Sequence, residues 1–393
     1  MRRATPSEFP HVPGACTRQR AFRRAPPVIN GLRGVAIGGV LLYHILAGML
    51  TPAALELPFL GTEVSISPLL TNGWTGVNLF FILSGFVLFL PYAVDGRGME
   101  DLNDRLRFYR RRARRLLPLF YIAVMVEWIF ARERGFPAPL DELVSVLSLT
   151  FAASPRYFGP SFNVPLWSIG VEIAFSAMFP MLVLGMRRLG MARFAALVLG
   201  LALAARVVGI LRFPALQGPT FNSDTFICRL DEFVLGMVLA QCYAKRRFPS
   251  RPGTCAIAGT ALVALSWIGF DLVLRGALPP VARAFLNNVL DAGLCAIALA
   301  SLAPAPRLAA VLSWPPLQVA GMMCYSLYIW HWPLLDWLIP ERAATAVGEL
   351  AIGIPAFLAL TFGVAALSYR FIEFRLAEDW RELFLLAVPT RQS

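Results

Sequence analysis

The sequence has little charge and few cysteines, and both shortages limit what the protein can be. Only 15% of the 393 residues are charged, whereas 57% are hydrophobic. A soluble domain needs a charged shell that such a composition cannot supply, so the composition argues against a soluble protein. The six cysteines show no CxxC pair and no spacing typical of metal ligands. We therefore expect neither structural disulfides nor a metal site.

The N-terminal residues also lack the features of a cleavable signal sequence, so we expect none. Residues 1–29 are polar, rich in proline, and carry a basic group formed by Arg18, Arg20, Arg23 and Arg24. Because no cleavable signal precedes the first hydrophobic run, we predict that the first helix serves as its own uncleaved membrane signal.

Long hydrophobic runs are what the sequence has in abundance. A transmembrane helix needs about 20 mostly apolar residues. Ten stretches meet or approach that length: 31–50, 73–94, 114–131, 166–186, 193–211, 227–244, 254–274, 286–303, 317–338 and 347–371. A shorter stretch, 141–153, is too brief to span a bilayer, and we predict that it lies in the interface or re-enters the membrane.

Positive charge alternates along the connections between these runs. The net charge of +12 would suggest nucleic acid in a soluble protein, but here the arginines lie in short connections. The connection at 51–72 has no lysine or arginine, whereas 95–115 has eight arginines and 245–253 has four basic residues. Because positive charge marks the cytoplasmic side of membrane proteins, both termini are predicted to be cytoplasmic, and no nucleic-acid partner is expected.

These patterns predict an all-α integral membrane protein, a bundle of about ten transmembrane helices with cytoplasmic N- and C-termini. Its parts are a basic cytoplasmic tail at 1–29, a transmembrane domain at 30–373 and a cytoplasmic C-terminal tail at 374–393.

The first predicted helix carries Arg33 and His44, which are eleven positions apart. Eleven residues make about three helical turns, so the two side chains share a face and lie roughly 16 Å apart along the axis. An ionisable side chain at membrane depth is a functional candidate, and an imidazole can take a proton from a hydroxyl that attacks a carbonyl. A histidine bonded to a neighbouring helix for packing is an equally open alternative.

Five arginines and two aromatic residues crowd the cytoplasmic edge of the third helix, at 108–118. One interpretation is a cradle for the phosphates of a nucleotide-bearing donor, because guanidinium groups bind phosphate bidentately. The alternative, which charge alone favours, is a topology signal that contacts anionic membrane lipid.

Other ionisable residues lie inside hydrophobic segments. Glu172 must be paired or neutral, and it could orient a catalytic imidazole, pair with an arginine, or form a purely structural ion pair. His331 lies among dense aromatics at 325–333, which predicts the outer interface and an interfacial or packing role, with a lining role near an external acceptor also open. The sequence suggests no role for Asp231, Glu232, Asp271 and Asp291.

Six segments occur in an order that resembles the acyltransferase 3 family of membrane-bound O-acyltransferases: NGLRGVAIGGVLLYH (30–44), GWTGVNLFFILSGF (73–86), FYRRRARRLLPLFY (108–121), NVPLWSIGVEIAF (163–175), CYSLYIWHWPL (324–334) and SYRFIE (368–373). The resemblance implies that Arg33 and His44 match the arginine and histidine of the family's first helix. It also implies that Arg112 and Arg115 match the family's cytoplasmic RxxR pair.

The resemblance further implies an enzyme of the bacterial cytoplasmic (inner) membrane. It would move an acyl group, expected to be acetyl, from acyl-CoA to a hydroxyl of a carbohydrate-containing acceptor. Some members carry an appended extracytoplasmic hydrolase-like domain; we expect a separate extracytoplasmic partner or direct transfer here.

The resulting hypothesis gives each candidate residue a role. Arg112 and Arg115 bind the donor phosphates, and His44 acts as general base or transient acyl carrier with Arg33 and Glu172 in the catalytic site. The rival hypotheses are a multi-pass transporter or flippase for a surface-polymer precursor and a catalytically silent scaffold.

Overall fold

The structure is a computed structural model that describes residues 26–46, 56–59, 62–65, 72–96, 99–135, 139–214, 218–304, 306–339 and 347–373. Most of the predicted N-terminal tail (1–25) and the whole predicted C-terminal tail (374–393) lie outside the described residues.

Helices dominate the described residues. The α-helices of the first half are α1 (Pro27–Leu46), α2 (Gly76–Asp95), α3 (Leu102–Glu133), α4 (Leu140–Leu147), α5 (Leu166–Leu189) and α6 (Met191–Arg212). Those of the second half are α7 (Phe221–Asp224), α8 (Leu230–Ala244), α9 (Pro252–Leu274), α10 (Ala282–Leu302), α11 (Pro306–Leu312), α12 (Pro315–Met322), α13 (Cys324–Leu338) and α14 (Val347–Ser368). Short 3-10 turns lie at Gly73–Thr75 and Thr150–Ala153, and a π turn at Tyr369–Glu373.

One small β-hairpin accompanies the helices. Strand β1 (Glu56–Phe59) pairs antiparallel with β2 (Thr62–Ser65), in a register that sets Glu56 opposite Ser65. The hairpin lies within 51–72, the connection that has no basic residue. The predicted helical architecture is therefore confirmed, with these two strands added in one connection.

Each of the ten predicted spans contains a helix, and seven segments among the described residues are long and apolar enough to cross a membrane: Pro27–Leu46, Gly73–Asp95, Leu166–Leu189, Met191–Arg212, Pro252–Leu274, Ala282–Leu302 and Ile352–Glu373. The other three predicted spans are occupied by α3, by α8, and by α12 together with α13. Helices α8 and α13 have 15 residues each, about 22 Å of helix at 1.5 Å per residue, against a hydrocarbon core of about 30 Å. The chain is thus a multi-pass membrane protein, and ten spans remain a prediction.

Helix α4 accounts for the short hydrophobic stretch at 141–153. It has 8 residues, which give about 12 Å of helix and cannot cross a bilayer. Leu149, with a φ of 62°, separates it from the 3-10 turn that follows.

Glycines bring several helix pairs into backbone contact. A Cβ at Gly85 of α2 would lie 2.0 Å from the carbonyl oxygen of Phe233, and a Cβ at Gly236 of α8 would lie 1.9 Å from that of Ile82. Small residues permit this close approach in membrane helices. Helix α1 meets α12 in the same way at Gly34.

Aromatic rings fill the space around these contacts. Phe233 of α8 stacks on Phe81 of α2 at 4.7 Å between ring centroids and on Phe175 of α5 at 3.8 Å. The stack joins α2, α5 and α8, so it holds these three helices in fixed relative positions.

Candidate functional site

A cavity of about 110 Å³ lies between α1, α2, α3, α5 and α13. Helix α2 supplies most of its apolar wall. Its polar lining consists of Arg33, Ser84, Arg112, Arg115, Ser168, Glu172, Cys324, Tyr325 and Tyr328. The structure therefore brings together four of the five residues that the sequence singled out, from three different helices.

Arg112 and Glu172 form an ion pair across the cavity wall, with exposed side-chain fractions of 12% and 17%. The Nε of Arg112 also donates to the hydroxyl of Ser176, at 3.0 Å. Of the partners considered for Glu172, the arginine is therefore present. The pair holds Arg112 in a fixed position because both ends of its guanidinium are engaged.

The cavity has a surplus of positive charge. Among the described residues, neither Arg33 nor Arg115 has a carboxylate within ion-pairing distance, whereas the charge of Arg112 is met by Glu172. Arg33 is half-buried and Arg115 is exposed, so Arg115 lies where the cavity opens. Two guanidinium groups that form no ion pair with a described carboxylate make the cavity suited to an anion.

His44 lies elsewhere, against a second histidine. The Nε2 of His331 on α13 is 3.1 Å from the Nδ1 of His44 on α1, and the two ring centroids are 4.9 Å apart. The ring of Trp332 stands edge-on to His44 at 5.2 Å. The spacing of Arg33 and His44 places both on one continuous helix, as predicted, but their surroundings differ.

The structure shows that His331 faces the protein interior, which agrees with the packing alternative of the prediction. Its side chain is fully buried, with 0% exposed, and contacts His44. Aromatic density indicated an interface but could not indicate which residues of α13 face inward. This residue is the one that the sequence reasoning undervalued at the site.

Tyr328 stands between the cavity and the histidines. Its ring lines the cavity, and its hydroxyl accepts a hydrogen bond from Ser168 at 2.7 Å. Its backbone carbonyl contacts the Nδ1 of His331 at 2.5 Å, and the two rings are 5.3 Å apart. The two parts of the site therefore share one wall.

A third polar region, the acid–amide cluster, joins α2, α8 and α10. The side-chain amide of Asn78 donates to Glu232 at 3.0 Å, to Asn287 at 3.0 Å and to Asp291 at 2.9 Å. Arg229 donates to the same carboxylate of Glu232 at 2.7 Å. The sequence suggested no role for these acids, although the run from Arg229 to Glu232 places opposite charges three positions apart at the start of α8.

Two further arginine contacts extend the cluster. Arg206 pairs with Asp231 at 2.5 Å, and Arg229 pairs with Asp224. Burial alone would raise the pKa of Asp224, but Arg229 and the bonds from Thr220 and Ser223 outweigh it and hold that pKa below its usual range.

The acids Asp231, Glu232 and Asp291 offer oxygens within 4.8 Å of one another, a spacing that could suit a metal ion. Arg206 and Arg229 already supply positive charge at two of these carboxylates, those of Asp231 and Glu232, and the amides of Asn78 and Asn287 donate to Asp291. We therefore interpret the acid–amide cluster as a structural network. Asp271 of α9, the fourth acid without a predicted role, pairs instead with Arg275, which directly follows that helix, at 2.6 Å.

Comparison with known proteins gives one family and several relatives. The sequence model of the acyltransferase 3 family, described as an acyltransferase domain, matches residues 27–372. The chain is 28% identical to a candidate peptidoglycan O-acetyltransferase, YrhL, of Bacillus subtilis, over 88% of the chain and 54% of the relative. It is 28% identical to the peptidoglycan O-acetyltransferase OatA of Listeria monocytogenes, over 90% and 56%.

The O-acetyltransferase OatA of Staphylococcus aureus is 24% identical, over 88% of the chain and 56% of the relative. The chain thus spans about half the length of the curated relatives it matches. No solved structure gives a significant match.

Proposed function

The chain belongs to the acyltransferase 3 family, and from this premise we propose that it is a membrane-embedded O-acyltransferase. It moves an acyl group from acyl-CoA to a hydroxyl of a carbohydrate-containing acceptor. The relatives named as O-acetyltransferases support acetyl as the acyl group, and the two named for peptidoglycan support a glycan acceptor.

The cationic cavity is the observation that carries this proposal. Arg33, Arg112 and Arg115 surround one space with a net positive charge. The phosphates of coenzyme A are multiply charged and match guanidinium donors in geometry. Exposed Arg115 takes the first phosphate contact, the anchored Arg112 orients it, and half-buried Arg33 lies further along the path of the acyl arm.

The histidine pair supplies the base. The acceptor hydroxyl gives its proton to the imidazole of His44 as its oxygen attacks the thioester carbonyl carbon. The C–S bond then breaks, the ester remains on the acceptor, and the leaving thiolate takes the proton from the imidazolium. His44 takes one proton from the hydroxyl and gives one to the thiolate, so the step needs no additional reagent.

The predicted membrane topology supports a donor and an acceptor on opposite sides of the membrane. With ten spans and cytoplasmic termini in a bacterial cytoplasmic membrane, Arg112 and Arg115 face the compartment that contains acyl-CoA. His44 lies about three turns deeper along α1 than Arg33. The acyl arm therefore runs inward past Tyr328 to reach the acceptor.

The deciding experiment measures acetyl-CoA cleavage by purified protein in nanodiscs, followed as thiol release with a glycan acceptor present. His44→Ala should lower turnover about 10²- to 10⁴-fold, the usual contribution of a general base. His11→Ala, which changes another of the three histidines in the sequence, is the matched control. A wild-type rate in His44→Ala would remove that residue from the mechanism.

Two further measurements separate the rival functions and name the acceptor. Substrate flux across sealed vesicles without thioester cleavage would support a transporter instead. Mass spectrometry of surface glycans and secreted metabolites, compared between a deletion strain, its complement and a His44→Ala complement, should show one ester missing from both defective strains.

A further inference from the structure

A chain of three groups connects α13 to the proposed base. The backbone carbonyl of Tyr328 contacts the Nδ1 of His331 at 2.5 Å, and the Nε2 of His331 contacts the Nδ1 of His44 at 3.1 Å. Each contact has a hydrogen-bond distance, so each must contain a proton. The chemistry of the groups decides where those protons lie.

A carbonyl oxygen can only accept a hydrogen bond, so the Nδ1 of His331 carries a proton. His331 has 0% of its surface exposed, and its ring neighbours His44 and Tyr328 bring no negative charge. Burying an imidazolium without a counter-charge is costly, which favours the neutral ring. A neutral His331 with a proton on Nδ1 has a lone pair on Nε2, and that nitrogen accepts.

The donor of the second bond is therefore the Nδ1 of His44. A neutral His44 with its proton on Nδ1 has its basic lone pair on Nε2. We propose that His331 is a positioning residue, which holds His44 in the Nδ1–H tautomer and so assigns the base function to Nε2. This proposal deepens the proposed function, since it rests on His44 as the base.

The same bond assists the step in which His44 becomes charged. When Nε2 takes the acceptor's proton, the Nδ1–H of the imidazolium becomes a stronger donor to His331. Partners of this kind fix the orientation and tautomer of a functional histidine without touching the substrate. Tyr328 contributes through its backbone carbonyl, so its side chain remains available to line the cavity.

The tautomer can be measured directly. The sequence contains three histidines, His11, His44 and His331, so protein labelled with ¹⁵N-histidine gives three sets of imidazole signals. His44→Gln and His11→Gln variants assign them. We expect the neutral His44 signal to report a proton on Nδ1. A proton on Nε2 of His44 would overturn the proposal, whether or not the enzyme turns over acetyl-CoA.

Two substitutions of His331 separate positioning from packing. His331→Gln retains an acceptor oxygen near the position of Nε2, whereas His331→Met retains volume without a comparable acceptor. We expect His331→Met to lower kcat about 10- to 100-fold, as loss of an orienting partner does, with the KM for acetyl-CoA within twofold of wild type. His331→Gln should recover most of that loss.

Equal kcat in the two His331 variants would instead show a packing role and contradict the proposal. Thermal unfolding of both variants shows whether each is folded, and the tautomer of wild-type His44 decides the question even if neither is. Failure of the proposed function has a different signature, namely wild-type turnover in His44→Ala.

Discussion

The cationic cavity and the acid–amide cluster are both rich in charge, yet they differ in how that charge is met. In the cluster, Arg229 is 7% exposed and donates to Asp224 and Glu232. In the cavity, Arg33 and Arg115 have no carboxylate within ion-pairing distance among the described residues, and Arg115 is exposed. Charge that the protein pairs internally stabilises the fold, whereas charge that it leaves accessible can bind a ligand.

We expect the largest effect when a carboxylate that pairs with a buried arginine is removed from the acid–amide cluster. Glu232→Ala leaves Arg229 buried with one carboxylate partner fewer, so we expect the free energy of unfolding in detergent to fall by about 3–5 kcal/mol. Thermal unfolding and the yield of folded protein measure this. Asp271→Ala, which removes the partly exposed pair with Arg275, should cost under about 1 kcal/mol. Equal losses in the two variants would contradict the structural role.

A substitution of Arg33 tests whether the positive charge of the cavity binds the donor. Because hydrogen bonds to charged groups contribute about 1.5–3 kcal/mol, Arg33→Ala should raise the KM for acetyl-CoA roughly 10- to 100-fold. Its unfolding temperature should change little, since none of the described carboxylates forms an ion pair with Arg33. Arg107→Ala, an exposed arginine of α3 paired with Asp104, serves as control and should retain the wild-type KM. An unchanged KM in folded Arg33→Ala would separate the cavity from donor binding.

The Arg112–Glu172 pair lies between the two extremes, because it is internally paired and lines the cavity. Glu172→Gln should change donor affinity only through Arg112, so its effect should disappear in an Arg112→Ala background. We expect a coupling energy of about 1 kcal/mol from the double-mutant cycle. Additive effects would show that Glu172 acts on the donor independently.

Exposed Arg115 gives the smallest expected effect. Salt screens exposed charges, so the KM for acetyl-CoA should rise with ionic strength, and the rise should be shallower in Arg115→Ala. The difference should correspond to under about 1 kcal/mol. Identical salt dependence in both proteins would indicate that the donor phosphates do not contact Arg115.

Local spacing predicted only part of the site. Helical geometry placed Arg33 and His44 on one face of the first helix, which is α1. Charge alone left the arginines of α3 open to two interpretations, and the resemblance to the family singled out Arg112 and Arg115. The helix positions followed from hydropathy, because lipid demands continuous apolar runs.

Contacts between distant segments could not be predicted. His331 meets His44 across 287 positions, and Asn78 meets Asp291 across 213. No periodicity encodes which faces of two helices meet, and the aromatic residues around His331 concealed its inward orientation. An acid inside an apolar segment must be paired or neutral, but the segment does not show which residue pairs with it. For Glu172, an arginine partner was therefore only one of several alternatives.

The backbone contact between α2 and α8 has a consequence for how the donor is admitted. Gly85 and Gly236 leave no gap into which either helix can shift, and α2 supplies most of the apolar wall of the cavity. That wall is therefore fixed, and any widening needed to accept the acyl arm must come from α1, α3, α5 or α13. The rate of donor uptake should accordingly depend on how readily those four helices move, while the α2–α8 pair keeps its position.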